Sequence, residues 1–239
     1  GQLPTAVRPH IDGEWQSGAG DSWTHTNPSD SDQAVAEVAG ASTEQAESAV
    51  AAAQRAAAAW SDLPVERRAA RLLQLADVLR QRRTALTVLI TTEVGKPFAE
   101  ADGDVAEAID FCEYYARRAL ELQTDHPLQS GLPGESNSLN YHPRGVAAVI
   151  APWNFPLAIL TGMTAAAAVV GNTVIMKPAE QSSAVAQALM DAVLAAGFPA
   201  GVIQFLPGTG ETVGAHLVDH PNVSTIAFTG SMGVGLDIV

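Results

Sequence analysis

The sequence predicts an α/β fold in which N-terminal helices pack on a parallel sheet, and three observations predict it. From Val146 onward, short Val- and Ile-rich runs alternate with longer Ala-rich segments, at the spacing of β-α-β crossovers. Between Thr43 and Leu122, apolar residues recur instead at helical spacing. Hydrophobic residues make up 47% of the 239 residues and charged residues 16%, enough for a sizeable core and too apolar for global disorder.

The elements follow in order. Residues 1–42 are rich in Gly, Ser, Asp and Thr, so only Ile11–Trp15 is expected to form a short strand or turn and the rest to be irregular. Thr43 is the expected N-cap of an Ala-rich helix ending near Trp60, with Glu44 and Glu47 in its first turn. Pro64 opens a second helix that Gly95 ends. Its apolar positions run from Leu72 to Leu89, and its arginines, Arg67, Arg68, Arg71, Arg80, Arg82 and Arg83, are expected on a solvated face paired with acids. A third helix begins at Pro97 or Phe98 and runs to about Leu122, with Val105, Ile109, Cys112, Tyr115 and Ala119 forming its apolar stripe. Thr124–Gly134 reads as a loop and Ser136–Tyr141 as an exposed strand. Strands are then expected at Val146–Ile150, Thr173–Met176, Val202–Leu206 and Ser224–Phe228, with helices at Phe155–Val170, Ser182–Ala196, Glu211–Val218 and from Ser231. The division is thus a helical part to residue 123, a connecting segment over 124–145, and an α/β part over 146–239.

Charge and composition exclude several functions. Thirteen Lys and Arg against 26 Asp and Glu give a net charge of −13, with a sequence pI near 4.7, and nucleic acid and anionic membranes both call for a basic face. The 32 residues Gly145–Met176 carry no Asp, Glu, Lys or Arg. Pro152, Asn154, Pro156, Gly171 and Asn172 interrupt them, so they read as buried strand, helix and strand rather than a membrane span. Gly1–His10 has no apolar signal core, and the single Cys112 precludes an intrachain disulfide; both point to a cytoplasmic protein.

Parallel strands all end on one edge, where ligands bind. The residues after each predicted strand therefore form one candidate surface: Pro152, Trp153, Asn154 and Phe155; Lys177 and Glu180; Gly208 and Gly210; Gly230, Ser231 and Val234. Gly230-Ser231 opens a helix whose free N–H groups suit a phosphate. Lys177 adds a cation, and Glu180 suits ribose hydroxyls. Taken singly, these are equally ordinary βα turns. The G-x-G-x-x-G fingerprint, the P-loop ending and the G-x-S-x-G elbow are all absent. The side-chain amide of Asn154 is suited to an oxyanion or to a helix cap. His216 and His220 have metal-ligand spacing without an evident third ligand, so no metal is expected.

Three motifs in order, Ala151-Pro152-Trp153-Asn154-Phe155-Pro156, Gly171-Asn172-Thr173 with Lys177-Pro178-Ala179-Glu180, and Phe228-Thr229-Gly230-Ser231, resemble the aldehyde dehydrogenase superfamily. Glu107–Arg117, Pro133-Gly134-Glu135 and Asp219-His220-Pro221 resemble its glutamate-γ-semialdehyde branch, including the dehydrogenase half of bifunctional proline-utilisation enzymes. The resemblance implies a Rossmann-like cofactor domain and NAD as cofactor. It implies that Asn154 faces the oxyanion, that Lys177 and Glu180 hold the adenosine ribose, and that Pro152 and Trp153 line the cofactor channel. Gly210 would lie by the adenine, Gly230 and Ser231 at the pyrophosphate, and Val234 would be a further cofactor-binding residue. Glu107 would face the substrate's amino group and Phe155 its aliphatic part, while residues 124–145 would form an arm used in homo-oligomers. The nucleophilic cysteine and the general-base glutamate of the family have no counterpart in this sequence; Cys112 lies on a helix's apolar stripe and reads as a core thiol. The chain by itself is therefore expected not to oxidise aldehydes. Two alternatives stay open: another semialdehyde or an aromatic aldehyde as substrate, and a non-catalytic module that binds nucleotide or pairs through its sheet edge.

Overall fold

Sheet structure begins earlier than the composition of the first 42 residues suggests. The computed structural model describes residues 3–123, 126–128 and 131–239. Its first elements are five strands: β1 (Thr5–Val7), β2 (His10–Ile11), β3 (Glu14–Trp15), β4 (Ser22–Asn27) and β5 (Asp30–Ala39). The expectation of irregular structure here is corrected. Alternate residues of β4 turn inward, and Val35, Ala36 and Val38 of β5 are buried. These strands form a three-stranded sheet in the order β1-β5-β4, with β1 parallel to β5. The exposed, polar half of β5, Asp30–Gln33, conceals the strand from composition alone.

Four helices follow: α1 (Thr43–Ser61), α2 (Val65–Gln81), α3 (Arg83–Val94) and α4 (Phe98–Leu122). The N-cap of α1 is Ser42, not Thr43. Its hydroxyl accepts from the Gln45 N–H while the Gln45 side chain accepts from the Ser42 N–H, a reciprocal capping box. The single helix expected between Pro64 and Gly95 is broken at Arg82, which separates α2 from α3. Gly95 ends α3 in the left-handed region, at φ 70°.

Arg68 is a second correction. It is buried rather than solvated. Its guanidinium donates to Val169 O at 2.8 Å, to Ser61 O at 2.9 Å and to Leu63 O. Arg80 and Arg83 follow the expected pattern, paired with Asp77 and Glu113 and with Asp102.

Within the expected loop Thr124–Gly134, positions 124, 125, 129 and 130 lie outside the described residues. His126–Leu128 (β6) is a strand rather than loop and pairs antiparallel with Asn137–Leu139 (β7), which is exposed.

The α/β part then runs β8 (Val146–Ile150), α5 (Ala158–Val169), β9 (Thr173–Lys177), α6 (Ser183–Ala195), β10 (Ile203–Phe205), α7 (Ala215–Asp219), β11 (Val223–Phe228) and α8 (Met232–Ile238). The four strands are parallel, in the order β11-β8-β9-β10, and the β2-β3 hairpin joins antiparallel beyond β10. The helix expected at Glu211–Val218 is instead a π-helical turn, Gly210–Gly214, leading into α7.

Side chains alternate across this sheet with the period of a strand. Val149, Val174 and Met176 face the core made with α2, α4, α5 and α6. Val146, Ala148 and Ile175 face the core made with α1 and α7. The parallel sheet is therefore covered on both sides, as its continuous apolar runs require. Among the described residues, no helix is long and apolar enough to cross a membrane.

Asn172 locks the layers together. Its side-chain carbonyl accepts from the N–H groups of Arg144 and Gly145 just before β8, and its amide donates to Ala167 O in the last turn of α5. Gly171, at φ 105°, makes the turn between α5 and β9.

Candidate functional site

The sheet order places the site. The first three parallel strands proceed β8, β9, β10 to one side, and β11 returns to the other side of β8. The order thus reverses between β8 and β11, where the loops leaving the carboxyl ends diverge and open a crevice. The register is level there: Phe228 pairs with Ile150, and Ile150 with Lys177.

At that edge lies a cleft of about 300 Å³, lined by Ile150, Lys177, Gly210, Gly214, Val234 and Ile238 among others. Three of the sequence-predicted cofactor residues, Lys177, Gly210 and Val234, thus share one cleft. The lining also includes Glu211, Val218, Asp219 and Asp237, none of which the sequence marked as a cofactor residue. Lys177 is the last residue of β9 and is buried. Its ammonium lies 3.0 Å from Glu180 Oε1, across a tight turn that continues as a single 3₁₀ turn. Burial of an ammonium is unfavourable unless it is paired, and Glu180 pairs it while staying partly open to solvent. A nucleotide fits this donor set: the apolar walls Ile150, Val218, Val234 and Ile238 suit a base, and the Lys177–Glu180 pair suits ribose hydroxyls.

Gly230 and Ser231 follow β11 on the neighbouring loop and are exposed. Ser231 caps α8, its Oγ accepting from Val234 N–H at 3.3 Å. Pro152, Trp153, Asn154 and Phe155 leave the end of β8 on the same edge. Trp153, Asn154 and Phe155 are exposed there and Pro152 is half-buried. None of Pro152, Trp153, Asn154, Glu180, Gly230 and Ser231 lines the cleft itself; they stand on loops along the same edge.

Glu107 is exposed on α4. Asp104 and Phe111, one turn to either side, both meet α5: Asp104 accepts from Ala158 N–H at 2.7 Å, and the Phe111 ring packs over Gly162. The three residues have i, i+3, i+7 spacing and share a helix face. Glu107 therefore lies on the side of α4 turned toward α5 and the loop before it.

Two residues near the site escaped sequence reasoning. Lys96 and Asp104 form a buried ion pair at 2.9 Å. Lys96 also donates to Asn154 O at 3.0 Å, and its Nζ sits 3.5 Å from the centroid of the Phe155 ring. In sequence, Lys96 was only the residue between a helix-ending Gly95 and a helix-starting Pro97.

The third potential ligand that the sequence did not show is Glu47 of α1, which corrects that expectation: the Nε2 atoms of His216 and His220 lie 3.5 Å and 2.9 Å from Glu47 Oε2. His220 Nδ1 accepts the N–H of Asn222. The proton on His220 is therefore on Nε2, donated to Glu47, and neither nitrogen has a lone pair free for a metal. Cys112 is buried, and desolvation, reinforced by the nearby Glu113 charge, pushes its thiol up to about 12. Such a thiol is protonated at neutral pH and is no nucleophile.

Residues 15–239 match the aldehyde dehydrogenase family. The chain is 47% identical over 212 residues to the 1-pyrroline-5-carboxylate dehydrogenase of Anoxybacillus flavithermus, covering 89% of this chain and 41% of that protein. Its structure resembles proline utilization A from Bdellovibrio bacteriovorus inactivated by N-propargylglycine, with a TM-score of 0.95 and 54% identity over 99% of this chain and 24% of that one. It also resembles a Thermus 1-pyrroline-5-carboxylate dehydrogenase with bound NAD, with a TM-score of 0.94 and 46% identity over 98% of this chain and 45% of that one. The chain thus spans less than half the length of these relatives. The parallel sheet with its crevice, and a match running over nearly the whole sequence, give one conclusion: this chain belongs to the aldehyde dehydrogenase family.

Proposed function

We propose that this chain is the cofactor-binding portion of an NAD-dependent dehydrogenase that oxidises L-glutamate γ-semialdehyde, the open form of 1-pyrroline-5-carboxylate, to glutamate. The observation that carries this reading is the buried Lys177, paired with Glu180 and lining one cleft together with Gly210 and Val234. Relatives with this name, and one solved with NAD, support the branch and the cofactor.

Bound NAD would supply the hydride acceptor. Lys177 and Glu180 hold the adenosine ribose through its hydroxyls, and the carboxylate disfavours a 2′-phosphate there. Gly210 and Val234 take the adenine end, Gly230 and Ser231 meet the pyrophosphate, and Pro152 and Trp153 border the channel toward the reacting carbon. The side-chain amide of Asn154 donates to the carbonyl oxygen as negative charge develops on it during thiolate attack. That thiolate comes from outside this chain, because the Cys112 thiol is buried and protonated. Glu107 faces the substrate's ammonium group and Phe155 packs on its aliphatic part. Residues 124–145, which include the β6-β7 ribbon, are the arm through which copies assemble. The buried, unpaired Cys112 fits a reducing, cytoplasmic setting.

The test is NADH formation with L-glutamate γ-semialdehyde in the full-length enzyme carrying this segment. Asn154→Ala should lower kcat by about 100-fold or more, and Glu107→Ala should raise KM for this aldehyde more than for propanal. An unchanged kcat in Asn154→Ala would end the catalytic reading. An unchanged kcat/KM in Glu107→Ala would end the choice of substrate.

A further inference from the structure

We propose that Lys96, held by Asp104, is a positioning residue that fixes the direction of the Asn154 side chain and the plane of the Phe155 ring. The inference rests on the reading of Asn154 as the oxyanion donor and goes beyond it, to what holds that donor in place.

The base of the Lys96 side chain is itself fixed. Gly95 before it is in the left-handed region, at φ 70°, where a Cβ would meet Pro28 Cγ at 2.9 Å. Pro97 after it caps α4 with a φ of −54°. From this rigid corner the lysine runs inward, its side chain only 8% exposed and that of Asp104 fully buried. Its ammonium has three partners: Asp104 Oδ2 at 2.9 Å, Asn154 O at 3.0 Å and the face of the Phe155 ring. A buried ammonium tolerates this site because each direction of its positive charge is met.

The other oxygen of Asp104 reaches the same loop farther along. Asp104 Oδ1 accepts the N–H of Ala158, the first residue of α5, at 2.7 Å. No side chain of the loop itself caps that helix; the capping carboxylate comes from α4. The segment between Asn154 and Ala158 is therefore clamped at both ends by one ion pair. Pinning the Asn154 carbonyl fixes the peptide that follows it, and with it the orientation of the Asn154 Cα–Cβ bond. The cation against one face of Phe155 holds the ring plane and leaves its other face for a ligand.

A purely architectural ion pair would join α4 to α5 equally well, so the test must read coupling to Asn154. The experiment is a double-mutant cycle in the full-length enzyme carrying this segment, with L-glutamate γ-semialdehyde and NAD. Lys96→Met keeps the bulk against Phe155 and removes the charge. It should lower kcat by about 10- to 100-fold while KM for NAD stays unchanged. Added to Asn154→Ala, it should lower kcat no further, because the oxyanion donor it positions is already gone, while its loosening of the Phe155 ring still raises KM for the aldehyde. Multiplying losses, or an unchanged kcat in a folded Lys96→Met, would overturn the proposal and leave the role of Asn154 intact. An unchanged kcat in Asn154→Ala alone would overturn the underlying reading instead. Should Lys96→Met fail to fold, Asp104→Asn carries the same cycle, since it retains an acceptor for Ala158 N–H and loosens the lysine. Lys96→Arg, which keeps the charge, should recover part of kcat.

Discussion

Replacing Arg68 by Met should remove the tie among three backbone carbonyls. The guanidinium joins α1 and its following turn, through Ser61 O and Leu63 O, to the last residue of α5, through Val169 O. Ser61 is half-buried and Leu63 is exposed, so water can take over at their carbonyls, and those two bonds are each worth about 0.5 kcal/mol net. Val169 is 1% exposed; its carbonyl would be left without a donor, at about 1–3 kcal/mol. Two helix C-termini also lose the cation beside them, a few tenths of a kcal/mol each. The sum is about 2.5–4.5 kcal/mol. Urea unfolding followed by tryptophan fluorescence reads it directly, as a lower midpoint at constant m-value. Arg68→Lys should recover only part of the loss, because an ammonium on a shorter stem does not span three carbonyls. A loss below about 0.5 kcal/mol, the range of an ordinary surface change, would refute the reasoning.

Other predictions concern single groups. Burial raises the Glu93 carboxyl from 4.5 to about 7, against the lowering effect of the Ala184 and Val185 N–H groups it accepts. A raised folded-state value means the folded protein takes up a proton, so this group's stabilisation is complete below pH 4.5 and is lost as pH rises through about 7. The difference amounts to about 3 kcal/mol, and Glu93→Gln should flatten the fall in unfolding free energy over that window; an equally steep fall in the variant would contradict the assignment. The Cys112 thiol, pushed up to about 12, should stay unlabelled by a thiol reagent at neutral pH until the protein unfolds. Gly162→Val should destabilise by about 1–3 kcal/mol, because even its Cβ would lie 2.8 Å from the Phe111 ring; a thermal midpoint unchanged from wild type would count against the close approach of α4 and α5.

The sequence exposes the part of the fold where burial and period agree. The β8, β9 and β11 segments read as strands because each is a short run rich in β-branched and other apolar residues, and Gly95, Gly171 and Gly197 mark true turns at positive φ. The first sheet escaped notice because half of β5 is polar and its partner β1 lies more than two dozen residues away in sequence. Arg68 is indistinguishable in sequence from Arg67 and Arg71; burial of one of the three depends on where the end of α5 lands. Candidate residues directly after strands, such as Lys177, were legible because parallel topology alone carries them to one edge. Lys96 and Asp104 were not, since they act through a loop more than fifty residues downstream. Val218 and Ile238 joined the cleft only through the way α7 and α8 face each other.

The most direct measurement is calorimetric titration of NAD into this chain and into Lys177→Ala, at fixed pH and ionic strength. Saturable one-to-one binding of NAD, weakened by about 10- to 100-fold in the variant, with NADP bound more weakly than NAD by the unaltered chain, is the predicted outcome. Equal affinity in the two proteins would contradict the claim that the paired lysine at the end of β9 grips the dinucleotide.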